Sequence, residues 1–177
     1  MDFAEVEFEA CRFYGCDFSE TAFERCKFID CEFHQCNLSL LKLPLTRLSE
    51  VAFIECKLVG VDWTRASFPS LNLDLGLSFK KSILTDSSFF GLSLSHLVLD
   101  ECKLHGVDFR EATLVDAQLT QCDFSGSQFM RTDMQGADLS GSHDFHIDIF
   151  ENRLAGAKFS RYEALSLLEV LDIELVD

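Results

Sequence analysis

The chain is poor in several residues that would steer it toward common architectures. Two prolines in 177 residues leave no Pro-rich linker, and one Trp with two Tyr makes an unusual aromatic set. Basic residues are also scarce: 15 Lys and Arg stand against 30 Asp and Glu, a formal net charge of −15. A nucleic-acid groove or an anionic membrane repels such a surface at long range, so its natural counterpart is basic. No window approaches the ~18 continuous apolar residues of a membrane span, and the N-terminus lacks the basic-then-apolar order of a signal peptide. A cytoplasmic protein is expected, with neither membrane nor nucleic acid as partner. There is no nucleophile elbow, phosphate loop or HExxH pattern, so neither enzyme chemistry nor a cofactor is expected.

What the chain has in excess is phenylalanine, 18 residues, and the excess is periodic. A large apolar residue stands at every fifth position from Phe3 through Phe8, Phe13, Phe18 and onward to Trp63, Phe68 and Leu73. After a one-residue slip around Gly76 the series resumes at Phe79 and runs to Leu139; it fails at Asp144 and returns at Ile149, Leu154 and Phe159. A period of five is neither helix nor strand, so the unit turns a corner every five residues, and four corners close a square. Two positions before each centre the residue is small or β-branched, as at Cys31, Thr46, Val61 and Ala117, with Leu41, Leu71, Leu77, Leu92 and Leu97 as bulky exceptions. Between residues 1 and 159 the one charge on an inward position is Asp144, where an irregular turn that packs Phe145 inward is expected.

Ala137-Asp138-Leu139-Ser140-Gly141, with Cys16-Asp17-Phe18, Val107-Asp108-Phe109 and Cys122-Asp123-Phe124 as variants, resembles the Ala-(Asp/Asn)-Leu-x-x unit of the pentapeptide-repeat family. The resemblance covers residues 1 to about 160. It implies an all-β fold, a right-handed quadrilateral β-helix with about eight coils, followed by a short C-terminal helix and strand. Residues 1–159 would form two stacks, 1–75 and 77–159, joined at a Gly76 hinge, and residues 160–177 a capping and dimerisation segment. The Gly76 slip, the tail and the acidity are similar to the fluoroquinolone-resistance branch, which mimics DNA and binds DNA gyrase and topoisomerase IV. Such a partner, with quinolone or toxin resistance as the outcome, is what the resemblance implies. The best-known plasmid-borne members carry projecting loops; here the register is unbroken apart from Gly76 and Asp144, so none is expected.

In the tail, Ser160 and Glu163 form a capping-box pattern, and Tyr162, Leu165 and Leu168 then share one face of a short helix. Leu171, Ile173 and Leu175 switch to strand alternation, and an exposed edge there invites pairing as a twofold homodimer. Counting one wall per five residues straight through Gly76 gives −3, −4 and −3 on the walls of Phe3, Phe8 and Phe13 and 0 on that of Phe18. Lys80, Lys81, Lys158 and Arg161 fall on the neutral wall in that count, and Glu7, Glu9, Asp30, Glu32, Glu55, Asp108, Asp116, Asp133, Asp148 and Glu151 form the candidate acidic partner surface. The acidity fits DNA mimicry, and it also fits a soluble, non-enzymatic interaction scaffold with an unrelated partner.

Phe90, Met130 and Phe150, with Arg110 among them, follow successive centres of the Phe8 wall in the same count, either as an apolar ridge or as cover for adjacent turns. All eight cysteines lie on the small inward position. Pairs twenty apart, such as Cys102 and Cys122, should stack about 4.8 Å apart with parallel Cβ vectors, which favours free buried thiols over disulfides. His143, Asp144, His146 and Asp148 are the one polar cluster of metal-ligand type, but the irregular turn around Phe145 accounts for them, and no metal is expected.

Overall fold

The computed structural model describes residues 2–68, 74–174 and 176. Leu71 and Leu73, and Leu175 of the tail, lie outside the described residues. The chain winds into a β-solenoid of about eight four-walled coils. Strands β5 (Lys27–His34) and β6 (Arg47–Ile54) turn one corner each and pair in parallel, with Phe28 on Leu48 and Phe33 on Phe53. The ladder continues through β7 (Ser78–Lys80), β8 (Val98–Asp100), β9 (Gln118–Thr120), β10 (Asp138–Leu139) and β11 (Lys158–Phe159). Below β5 it meets β2 (Glu7–Glu9) and β3 (Arg12–Tyr14), while β1 (Asp2–Ala4) pairs β4 (Ala22–Glu24) on the next wall round. The other walls are held by single parallel bridges such as Asp17 to Asn37, Lys103 to Asp123 and Thr113 to Asp133.

Each centre stacks on the centre one coil away. Phe13, Phe33, Phe53 and Phe79 form one column with ring centroids 4.6, 5.0 and 5.0 Å apart and planes within 14°. Trp63, Phe89, Phe109 and Phe129 form another, at 5.6, 5.4 and 5.3 Å. Neighbouring walls meet edge to face, as in Phe8 and Phe13 at 5.7 Å, so both favourable aromatic geometries occur in every Phe-rich coil. The corner is made two residues after the centre, where the backbone turns left-handed: φ is 57° at Glu5, 56° at Leu40 and 54° at Asp116. Such a φ costs about 1–2 kcal/mol for a residue with a side chain, which the ladders on either side offset.

The small inward position does more than leave room. Its hydroxyl or thiol donates to the carbonyl of a centre one coil back: Thr46 Oγ1 to Phe23 O at 2.6 Å, Cys56 Sγ to Phe33 O at 3.2 Å and Ser142 Oγ to Leu119 O at 2.5 Å. At the corner entering the Phe18 wall the column reads Cys16, Cys36, Cys56, Ser82, Cys102, Cys122 and Ser142, donors throughout. All eight cysteines are free. Burial pushes the Cys56 thiol up to about 11, and the neighbouring Cys102 thiol, with burial second, raises Cys122, which keeps both as thiols able to donate.

Three expectations are corrected. The slip at Gly76 is a longer coil: Cys56 and Ser82 are matched across twenty-six positions, where Cys26 and Thr46 are matched across twenty. Six extra residues therefore enter between Phe68 and Leu77, and Phe79 returns to the wall of Phe53. Gly76 takes φ 60°, like the other corner residues, and an added Cβ would lie 2.1 Å from the Glu50 carboxylate, so a side chain there would have to turn Glu50 aside. Around Asp144, Phe145 does pack inward, but the repeat returns at Ile147, which pairs with Phe129, and not at Ile149. The tail forms a helix of 3₁₀ type over Glu163–Leu171 with no side-chain cap; Ser160 Oγ instead accepts from Gly141 N–H at 2.8 Å. Leu171 closes that helix, Asp172 turns left-handed at φ 51°, and Ile173 is in no strand, so the strand alternation is not realised among the described residues.

Ser142 Oγ also accepts from Cys122 N–H at 2.9 Å, so Ser142→Ala leaves two buried backbone groups unpaired. A loss of about 1–3 kcal/mol in urea unfolding is expected, with Ser142→Cys milder because cysteine fills this column elsewhere.

Candidate functional site

The chain visits the walls of Phe3, Phe8, Phe13 and Phe18 in turn, so the Phe3 wall lies opposite the Phe13 wall. Because Phe79 sits on Phe53, every charge after the long coil moves back one wall from the count made straight through Gly76. On the Phe13 wall Arg12, Lys80, Lys81, Lys158 and Arg161 balance Glu32, Glu55, Asp100, Glu101 and Asp138, five against five. The Phe8 wall carries Glu7, Glu9, Asp30, Glu50, Asp116 and Asp133 against Lys27, Arg47 and Arg153, a net −3. The Phe18 wall, with Asp17, Glu20, Asp86, Asp123 and Asp144 against Lys57 and Lys103, is also −3. The Phe3 wall reaches −3 with Asp2, Glu5, Glu24, Asp62, Asp108, Glu111, Asp148 and Glu151 against Arg25, Lys42, Arg65, Arg110 and Arg131. The neutral side is therefore the Phe13 wall, and the three acidic walls are contiguous with the Phe3 wall in the middle.

The candidate acidic residues do not form one surface. Glu7, Glu9, Asp30, Asp116 and Asp133 share the Phe8 wall, and Asp108, Asp148 and Glu151 the Phe3 wall. Glu32 and Glu55 lie on the neutral wall, where Glu32 meets Arg12 at 3.4 Å and Glu55 accepts from Gln35 at 2.8 Å. Several of the acids also serve the backbone. An aspartate just before a centre accepts the N–H just after it: Asp108 from Arg110 at 3.0 Å and Asp133 from Gln135 at 3.2 Å; Asp148, just after the centre Ile147, makes the same turn with Phe150 N–H at 2.8 Å. This local turn explains the Asp of the five-residue unit.

Phe90, Arg110 and Met130 run up the Phe3 wall, not that of Phe8. The Arg110 guanidinium lies 5.7 Å from the Phe90 ring centroid and donates to both Asp108 oxygens, at 2.9 and 2.8 Å. Phe150 leaves this column. The Glu151 carbonyl takes the bond from Arg131 N–H, and Phe150 stands 74% exposed on the bulge between Ile147 and Asn152. Leu40 and Leu45 are exposed at the two edges of the same wall two coils below Phe90, and Leu40, with Leu41, Pro44 and Gly60, lines a mainly apolar groove of about 570 Å³. In the tail, Tyr162, Leu165, Leu171 and Ile173 are exposed, Leu168 is half-buried, and Leu167 turns to the core.

Of the cluster His143, Asp144, His146 and Asp148 picked out by residue type, the structure keeps His143 and Asp144 together and joins them on the Phe18 wall to Asp123. His105 Nε2 lies 2.6 Å from Asp123 Oδ2, and Asp123, His143 and Asp144 hold donor atoms within 4.8 Å of one another. Twenty-residue spacing would have paired Asp123 with His143, but the diagonal from His105 appears only once the coils are stacked. Burial would raise the Asp123 carboxyl, yet hydrogen bonds from Ser125 and His105 hold it well below the usual range.

Hydrogen bonds from Arg110 likewise lower Asp108 against its partial burial. A depressed folded value stabilises above the unfolded pKa of about 3.9 and is lost as pH falls through the folded one. Arg110→Gln should therefore lower the melting temperature at pH 7, with the gap to the parent closing below about pH 3, as followed by circular dichroism.

Comparison with solved structures finds the same solenoid at low identity. A trypsin-treated form of QnrB1, a plasmid-mediated fluoroquinolone resistance protein, superposes with a TM-score of 0.60 at 22% identity, covering 99% of this chain and 98% of that one. Full-length QnrB1 gives 0.52 at 22%, covering 97% of each. No curated protein matches by sequence. The family model for the pentapeptide repeat region matches residues 6–76 and 61–139, most of the solenoid. The chain belongs to the pentapeptide-repeat family.

Proposed function

We propose that this protein is a non-catalytic DNA mimic that binds DNA gyrase or topoisomerase IV and so modulates resistance to quinolones or toxins. The observation that carries it is the sidedness of the charge: three contiguous acidic walls running along the solenoid, backed by a neutral one. Eight coils at ~4.8 Å make a rod of roughly 38 Å, a length of duplex that carries about 22 phosphates. A chain of net −15 has the same order of charge. The acidic side, centred on the Phe3 wall, would face a basic DNA-binding saddle, leaving the Phe13 wall with Lys80 and Lys81 outward. Full-length similarity to QnrB1 supports the reading. Under it, Gly76 marks the join between stacks 1–75 and 77–159, and the exposed Tyr162, Leu165, Leu171 and Ile173, with Leu168 and Leu175, pair two copies end to end.

A second reading, a scaffold for an unrelated partner, is favoured by the apolar groove at Leu40, Leu41 and Pro44 and by exposed Phe90 on the same wall. Ionic strength separates the two, because docking in a basic saddle weakens steeply with salt and apolar docking does not.

Titrated into a gyrase supercoiling assay with and without a quinolone, the protein should inhibit or rescue at low salt and lose that effect at high salt. Neutralising Asp116 with Asp30 and Glu111 should weaken it, and Lys80→Glu with Lys81→Glu should not. The reverse pattern, or no effect at tens of micromolar, rejects the proposal. Sedimentation should show a dimer that Leu165→Glu with Ile173→Glu makes monomeric.

A further inference from the structure

The repeat breaks at one place in the upper half of the solenoid, and that place gathers ligand-type side chains from three coils. Position 144 should hold a large apolar centre above Phe124. Instead Asp144 turns out to solvent at φ 55° and meets His143 Nδ1 at 2.8 Å, while Phe145 fills the interior. His143 is bridged to Asp123 in the coil below, and Asp123 is held in turn by His105 from the coil below that.

We propose that Asp123, His143 and Asp144 bind a divalent transition-metal ion of the Zn²⁺ class, with His105 as a positioning residue. The donor set of one imidazole and two carboxylates suits Zn²⁺ or Co²⁺, and three protein ligands leave room for water in the remaining position. Ligands on a common ion at ~2.0–2.2 Å lie at most about 4.4 Å apart, so donor atoms already within 4.8 Å need only a small adjustment. Two of the three come from adjacent parallel backbones whose register is fixed by His143 N–H to Cys122 O at 3.0 Å, and the site is therefore largely formed before any ion arrives. Asp123 is oriented from the far side, since Ser125 N–H and Oγ bond its Oδ1 at 3.1 and 2.6 Å and His105 donates to its Oδ2. An outer hydrogen bond of this kind aims a ligand and tunes its basicity. The ion would tie the irregular turn after Leu139 to the regular coil beneath it. This proposal does not depend on a topoisomerase partner.

The test uses the full chain, stripped with chelator and titrated with Zn²⁺ by calorimetry and with Co²⁺ by visible absorption. One ion per chain is expected, with Co²⁺ d–d bands and a rise in melting temperature on saturation. His143→Ala and Asp144→Asn should each weaken binding at least tenfold, and His105→Gln should weaken it while leaving the stoichiometry at one. Each variant keeps its backbone ladder, so circular dichroism should remain unchanged. Sulfur-to-cobalt charge transfer in the near ultraviolet would place the ion on cysteine and overturn the assignment. So would an affinity unchanged in His143→Ala, or the absence of saturation below millimolar, which would mean an adventitious ion only.

Discussion

A tube four side chains wide has no room for water, so every peptide group that points along its axis must find its partner in the coil above or below. Most do so through the parallel ladder. The carbonyls of the centre residues on the strand-like walls are turned toward the interior, and these the ladder does not reach. A side chain from the next coil must close the gap, and it must be small enough not to displace the stacked rings. Serine, threonine and cysteine meet both conditions in the regular coils, and Asn152 does so above Phe129, which is why Thr46, Ser82, Cys122 and Ser142 stand where alanine would have fitted as well by volume. The aromatic columns depend on the same constraint, because rings about 5 Å apart match the spacing of paired strands.

With the interior so fixed, chemistry is left to the outside, where residues twenty apart become neighbours. Lys27 with Glu7, Arg153 with Asp133 and Lys158 with Asp138 are coil-to-coil pairs of this kind, and each is exposed enough to be worth little alone. Their collective effect is to decide which walls keep a net field. Where basic and acidic residues alternate up a wall, as on that of Phe13, the field cancels; where they do not, it adds along the shaft.

The five-residue period, the inward small position and the turn at Phe145 were all legible in the sequence, because burial enforces them residue by residue. Wall assignment past residue 73 was not. A one-residue slip in the pattern of centres looks the same whether a coil gains one residue or six, and only the pairing of Phe53 with Phe79 tells them apart. The tail misled for a related reason. Alternation at Leu171, Ile173 and Leu175 signals a strand only where a neighbour supplies the ladder, and among the described residues none pairs with Ile173. Ser160, likewise, had the type of a helix cap but lay closer to a needy amide at Gly141.

The long fourth coil separates two properties that a regular solenoid would lock together. Its six extra residues leave the walls in phase, so the charges of the later coils continue the columns begun by the earlier ones. An insertion of five that stayed in the spiral would instead carry every later charge a quarter turn around the shaft, and one of twenty would lengthen the shaft by a single rung without moving any of them. Length and electrostatic sidedness can thus change independently along a lineage, the first by whole coils and the second by quarter coils, with the same core residues serving both.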